Sequence, residues 1–126
     1  ISDVRWLTRE VFGPVLHVVR YRAQELDAVV DAVNAAGYGL TFGIHSRIDA
    51  TVERVLARIR AGNVYVNRSI IGAVVGTQPF GGSGLSGTGP KAGGPNYVQR
   101  FAEERTLSVN TTAAGGNAAL MTLAES

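Results

Sequence analysis

The chain has 126 residues, 45% hydrophobic and 17% charged, with 12 basic against 10 acidic side chains and a net charge of +2. That is one domain at most, apolar enough for a core and unlike a disordered segment; the dispersed charges, with no basic stripe, give no reason to expect a nucleic-acid partner. Cysteine is absent, which excludes disulfides, thiolate metal sites and a cysteine nucleophile within these residues, and no apolar run reaches the length a bilayer needs.

Without an initiator methionine or a signal peptide, the chain reads as a soluble piece of something longer. Ile1–Arg9 carries Trp6 and leads into Glu10-Val-Phe-Gly-Pro14, where Gly13-Pro14 predicts a turn. Val15–Tyr21 is rich in β-branched residues and predicts a largely buried strand. Over Gln24–Ala36 the period changes. Leu26, Val29, Val30 and Val33 fall at i, i+3, i+4 and i+7, an amphipathic helix that Gly37 ends. Leu40–His45 predicts a second strand, and Ser46-Arg-Ile-Asp49 offers capping side chains for a second helix with Val52, Val55, Leu56 and Ile59 on its apolar face. Glu53, Arg54, Arg58 and Arg60 point away as a solvated face, and Gly62 stands where a C-terminal cap would. Asn63–Asn67 predicts a third strand. The order strand, helix, strand, helix, strand, with short connections, predicts an α/β fold with a mostly parallel sheet.

Gly72–Gly87 (GAVVGTQPFGGSGLSG) follows that strand, without helical or strand period, and its glycines crowd around Phe80. Glycine density of this kind fits positive φ or close approach, and a loop beyond the carboxyl end of a parallel strand is where α/β ligands collect, so it predicts a site loop. Pro90–Pro95 is a further turn, Tyr97–Glu104 predicts a short helix with Tyr97, Val98 and Phe101 inward, and Thr106–Thr112 a last strand. Residues 113–126 form a tail with no assigned element. His17 and His45 have no partner at metal spacing and read as structural, and Gly81-Gly82-Ser83-Gly84 lacks the lysine–serine pair of a phosphate loop.

Two motifs carry a resemblance that periodicity does not supply. Glu10-Val-Phe-Gly-Pro14 resembles the E-x-F-G-P motif of the NAD(P)-dependent aldehyde dehydrogenase superfamily, and Pro79-Phe-Gly-Gly82 with Ser86-Gly87 resembles its later P-F-G-G-x-x-x-S-G motif. Residues 37–49 (GYGLTFGIHSRID), 62–69 (GNVYVNRS), 71–82 and 86–97 are similar to the L-glutamate γ-semialdehyde (Δ1-pyrroline-5-carboxylate) dehydrogenase branch. The tail Asn110–Leu120 is most similar to that of the bacterial bifunctional proline utilization A flavoenzymes.

The resemblance implies that residues 1–112 are a C-terminal segment of the catalytic domain, and that the nucleophilic cysteine and the Rossmann domain lie upstream. The segment alone would then be inactive. It further implies a cytoplasmic enzyme of proline catabolism that uses NAD, with FAD in a separate proline dehydrogenase domain if bifunctional. The remaining partners it implies are the rest of the parent chain, a small-molecule substrate and a possible homo-oligomeric assembly. On matched positions, Glu10 would grip the nicotinamide ribose hydroxyls and Phe12 would pack near the nicotinamide. The amides of Gly72 and Ala73 would hold the substrate carboxylate, and Phe80 would flank its aliphatic part. Some relatives have serine where Ala73 stands, so a hydroxyl contact to that carboxylate is missing here. The rival reading is a non-catalytic α/β module that binds a small anion through the glycine loop.

Overall fold

The computed structural model describes residues 1–74 and 76–110. Helix α1 spans Leu26–Ala35, preceded by a 3-10 turn at Ala23–Glu25 in which the Arg22 amide donates to the Glu25 carboxylate. Its predicted apolar face is the one turned inward: Val30 is buried, and Leu26, Val29 and Val33 are half-buried. Gly37 leaves the helix at φ +81°, a conformation that favours glycine. A two-residue strand β1 (Tyr38–Gly39) and then β2 (Thr41–Ile44) follow.

Helix α2 (Asp49–Leu56) is the crossover that brings β3 (Asn63–Val66) alongside β2 in parallel, with Thr41 opposite Asn63 and Ile44 opposite Val66. Its capping differs from expectation. The N-cap is Ile48, without a side-chain cap, and the Ser46 hydroxyl instead accepts the Ile48 amide at 3.1 Å. Gly62 is not the cap either, since α2 ends at Leu56 with Ala57 as its C-cap. The arginine face is exposed, as expected, and it is also paired across the helices. Arg54 pairs with Asp27 and Arg58 with Asp31, both at 2.7 Å, so one turn of α2 is tied to one turn of α1. Asn34 adds to this seam: its Nδ2 donates to the Arg58 carbonyl and its Oδ1 accepts from the Arg60 amide. Val30, Val55 and Tyr65 are the buried apolar side chains around which these elements close. Burying each contributes about 1.5–3 kcal/mol.

The predicted first strand does not form. Val15–Tyr21 has no regular structure, and Val15, Leu16 and Val18 are exposed. A strand needs a neighbouring strand to take its amides and carbonyls, and among the described residues no strand pairs with this segment; the Val18 carbonyl is taken by the Ile1 ammonium at 3.0 Å. The sheet built here is therefore the parallel β2–β3 pair, with β1 pairing separately and antiparallel to a short strand β4 (Ser83–Gly84). The helix expected over Tyr97–Glu104 is only a 3-10 turn, Val98–Phe101, and its aromatic residues are exposed, not inward; Tyr97 and Phe101 meet edge to face at 5.4 Å. Residues 106–110 form no strand. The remainder of that predicted strand, and the tail at 113–126, lie outside the described residues.

Candidate functional site

The site is organised by β1, which the sequence reading joined to neither motif. Tyr38 reaches one motif: its hydroxyl accepts the Glu10 amide at 3.1 Å. The backbone around Tyr38 and Gly39 reaches the other, because β4 pairs with β1, the Leu85 amide donates to the Gly37 carbonyl and Ser86 Oγ accepts the Gly39 amide. Glycine is required at 84, where φ is +62° and a Cβ would overlap the Gly37 carbonyl oxygen. Two motifs separated by residues 15–78 thus converge on a two-residue strand. Between them opens a groove of about 480 Å³ whose lining includes Glu10, His17, Tyr38, Thr41 and Ser86.

Glu10 is exposed at this groove, and among the described residues its carboxylate has no hydrogen-bond partner. Two free carboxylate oxygens beside an open groove can accept from two hydroxyl donors at once. His17 also lines the groove; it is exposed in an irregular segment and does not sit in the buried strand expected of it. Phe12 is 87% exposed and, among the described residues, touches no other ring.

The glycine loop divides into two parts. Its first part, around Gly72 and Ala73, is lightly held. Gly72 has φ +77° while Ala73 is outside the positive-φ region, and neither amide has a hydrogen-bond partner among the described residues. Two successive amides without a partner leave two donors open to an acceptor from outside these residues. The second part is held firmly. Phe80 and Ala92 exchange both backbone hydrogen bonds, at 3.1 and 2.9 Å. Asn63, 9% exposed at the start of β3, donates from Nδ2 to the Pro79 carbonyl at 3.0 Å and accepts the Gly81 amide on Oδ1 at 3.2 Å. Lys91 Nζ donates to the Gly62 carbonyl.

The structure therefore joins Glu10 to the Ser86 end of the second motif, while Gly72, Ala73 and Phe80 lie outside that groove's lining. Sequence reasoning missed Tyr38, Asn63 and Lys91. Asn63 and Lys91 lie within the stretches whose wording carries the resemblance, but no periodicity separates them from ordinary strand and turn residues.

Comparisons with known proteins find relatives over most of the chain. The chain is 71% identical over 95 residues to the bifunctional protein PutA of Rhizobium meliloti, covering 75% of this chain and 8% of that protein. It is 41% identical over 106 residues to the 1-pyrroline-5-carboxylate dehydrogenase of a Geobacillus species, covering 84% of this chain and 20% of that one. A crystal structure of a mutant of Bradyrhizobium japonicum proline utilization A superposes with a TM-score of 0.80 at 61% identity, over 91% of this chain and 12% of that chain. The chain thus spans a fifth or less of the length of these relatives. Residues 2–107 match the aldehyde dehydrogenase family, to which the chain belongs.

Proposed function

We propose that this chain is the C-terminal part of the catalytic domain of a longer, NAD-dependent enzyme that oxidises L-glutamate γ-semialdehyde to L-glutamate in proline catabolism. Residues 1–112 would be that segment and 113–126 its tail. The observation that carries the reading is the convergence of Glu10 and the Pro79–Gly87 motif on β1, within a chain whose relatives include 1-pyrroline-5-carboxylate dehydrogenases. The exposure of Trp6 (71%), Leu16 (86%), Ile71 (75%) and Leu107 (77%) supports packing against further protein, since isolated domains rarely leave so many large apolar side chains in water.

In this reading a cysteine outside these residues attacks the aldehyde carbon, and NAD, when bound, supplies the hydride acceptor. This segment binds and orients. Glu10 would hold the ribose hydroxyls, and Phe12, exposed and ready to be covered, would lie against the nicotinamide. The amides of Gly72 and Ala73 would anchor the substrate carboxylate, and Phe80 would form a wall along its methylene groups. A bifunctional parent would carry FAD in a separate proline dehydrogenase domain. We propose a cytoplasmic parent able to form homo-oligomers; no helix among the described residues is long and apolar enough to cross a membrane.

The test is NADH formation by the full-length protein supplied with L-glutamate γ-semialdehyde and NAD. Turnover that falls at least tenfold, about 1.4 kcal/mol, on Glu10→Ala is the expected result. Absence of NADH formation from the intact protein would overturn the reading.

A further inference from the structure

We infer that Asn63 is a positioning residue for Phe80, its side chain acting in place of a neighbouring strand. The inference rests on the reading of Phe80 as a wall of the aldehyde pocket. Two peptide units flank the Phe80 Cα, and they present four polar groups: the Pro79 carbonyl, the Phe80 amide, the Phe80 carbonyl and the Gly81 amide. All four are bonded. The inner pair, on Phe80 itself, exchanges hydrogen bonds with the backbone of Ala92. The outer pair is taken by one side chain, Asn63, whose Nδ2 donates to Pro79 and whose Oδ1 accepts from Gly81.

A carboxamide is a planar donor–acceptor pair, the same chemistry as a peptide unit, so Phe80 is held as a central-strand residue is held, from both sides. Aspartate in its ionised form lacks the donor and leucine lacks both groups. Asn63 is itself fixed, being 9% exposed and paired through its backbone with β2. Lys91 completes the frame. It precedes Ala92, and its Nζ donates to the carbonyl of Gly62, which precedes Asn63, so the two supports of Phe80 are tied to one another. With both flanking peptide planes fixed, the φ and ψ of Phe80, and so the direction of its Cα–Cβ bond, are set by the scaffold before substrate arrives.

The test is a double-mutant cycle in the full-length enzyme, reading kcat/KM and KM for L-glutamate γ-semialdehyde for Asn63→Ser, Phe80→Ala and the double variant. If Asn63 acts through Phe80, Asn63→Ser should lower kcat/KM roughly tenfold, chiefly by raising KM for the aldehyde, and should cost less than about twofold when Phe80 is already alanine. An equal fold-loss in both backgrounds, or no loss in the presence of Phe80, would overturn the inference while leaving the proposed function standing. Phe80→Ala without effect on kcat/KM would instead remove Phe80 from the pocket, and with it the ground of the inference. Should Asn63→Ser fail to fold, Lys91→Met, which unties the two supports without touching either, is read by the same cycle against the same criteria.

Discussion

Replacing Gly62 by alanine is a demanding perturbation of the site that leaves every named side chain intact. A Cβ built at this position would overlap the Gly81 carbonyl oxygen and stand 2.8 Å from the Gly81 carbonyl carbon and 3.0 Å from Gly82 Cα. All three atoms are backbone, so no side-chain rotation relieves the clash. Carbon atoms rest at about 3.5–4.0 Å, so the turn carrying Phe80 must retreat by roughly 1 Å. Overpacking of this kind costs about 1–3 kcal/mol of stability, and a shift of that size at a positioning element can cost on the order of a hundredfold in rate. The assay is kcat/KM of full-length Gly62→Ala with L-glutamate γ-semialdehyde beside its thermal unfolding curve. A folded variant with a rate loss near a hundredfold and an unchanged KM for NAD is the expected outcome. A variant with kcat/KM within twofold of the unaltered enzyme would refute the reasoning, because the Phe80 turn would then not lie against β3 as described.

Phe80→Ala should lower kcat/KM for charged and uncharged aldehydes alike, since it removes an apolar wall and no anion contact; a loss confined to the carboxylated substrate would reassign the residue. Residues 1–126 expressed alone should give no NADH with any aldehyde, having no thiol, and turnover free of contaminating enzyme would refute the assignment of the nucleophile elsewhere. The Arg54 guanidinium holds the Asp27 carboxyl below its ordinary value of 3.8, so the ion pair stabilises the α1–α2 seam above that pH and loses this contribution as the pH falls through the lowered value. Hydrogen-exchange protection of α1 and α2, corrected for intrinsic rates, should therefore decline below about pH 4 in the unaltered enzyme more steeply than in Asp27→Asn; equal slopes would show that the pair does not secure the seam.

The two helices were legible because aliphatic residues recur at helical spacing, and Val30 and Val55 are buried where those stripes predicted, although Leu56, placed on the second stripe, is exposed. The parallel β2–β3 pair was legible for a related reason: a helix of suitable length between two β-rich runs admits few other connections. Val15–Tyr21 was misread because its β-branched residues record a preference for a half-buried pleated surface, and no neighbouring strand supplies one among the described residues. Tyr97–Glu104 was misread because two aromatics and a valine at helical spacing do not reveal whether a partner covers them, and here they face solvent. Arg54 and Arg58 do form an exposed face, as read, but their pairing with Asp27 and Asp31 was not legible because charge pairing across two helices leaves no trace in the spacing along either one.

The site was legible as motifs and not as geometry. Glycine, proline and phenylalanine at fixed spacing marked the loop, but Tyr38 acts across 28 residues of sequence through one hydrogen bond and Asn63 across 16 and 18 through two, and no local pattern encodes them. Asn63 also occupies a strand start, where an asparagine most simply reads as a turn residue.

The proposed carboxylate anchor at Gly72-Ala73 would distinguish a glutamate-semialdehyde dehydrogenase from a general one, and the ratio of kcat/KM for L-glutamate γ-semialdehyde to that for an uncharged aldehyde of equal length measures it directly. Charge-assisted hydrogen bonds contribute about 1.5–3 kcal/mol each, so the full-length enzyme should prefer the carboxylated substrate by roughly tenfold to a hundredfold per bond. Ala73→Pro, which deletes one amide donor, should collapse most of that ratio while the uncharged aldehyde is oxidised nearly as before. Equal losses on both substrates, or a ratio near one in the unaltered enzyme, would contradict the assignment of this loop as the anchor.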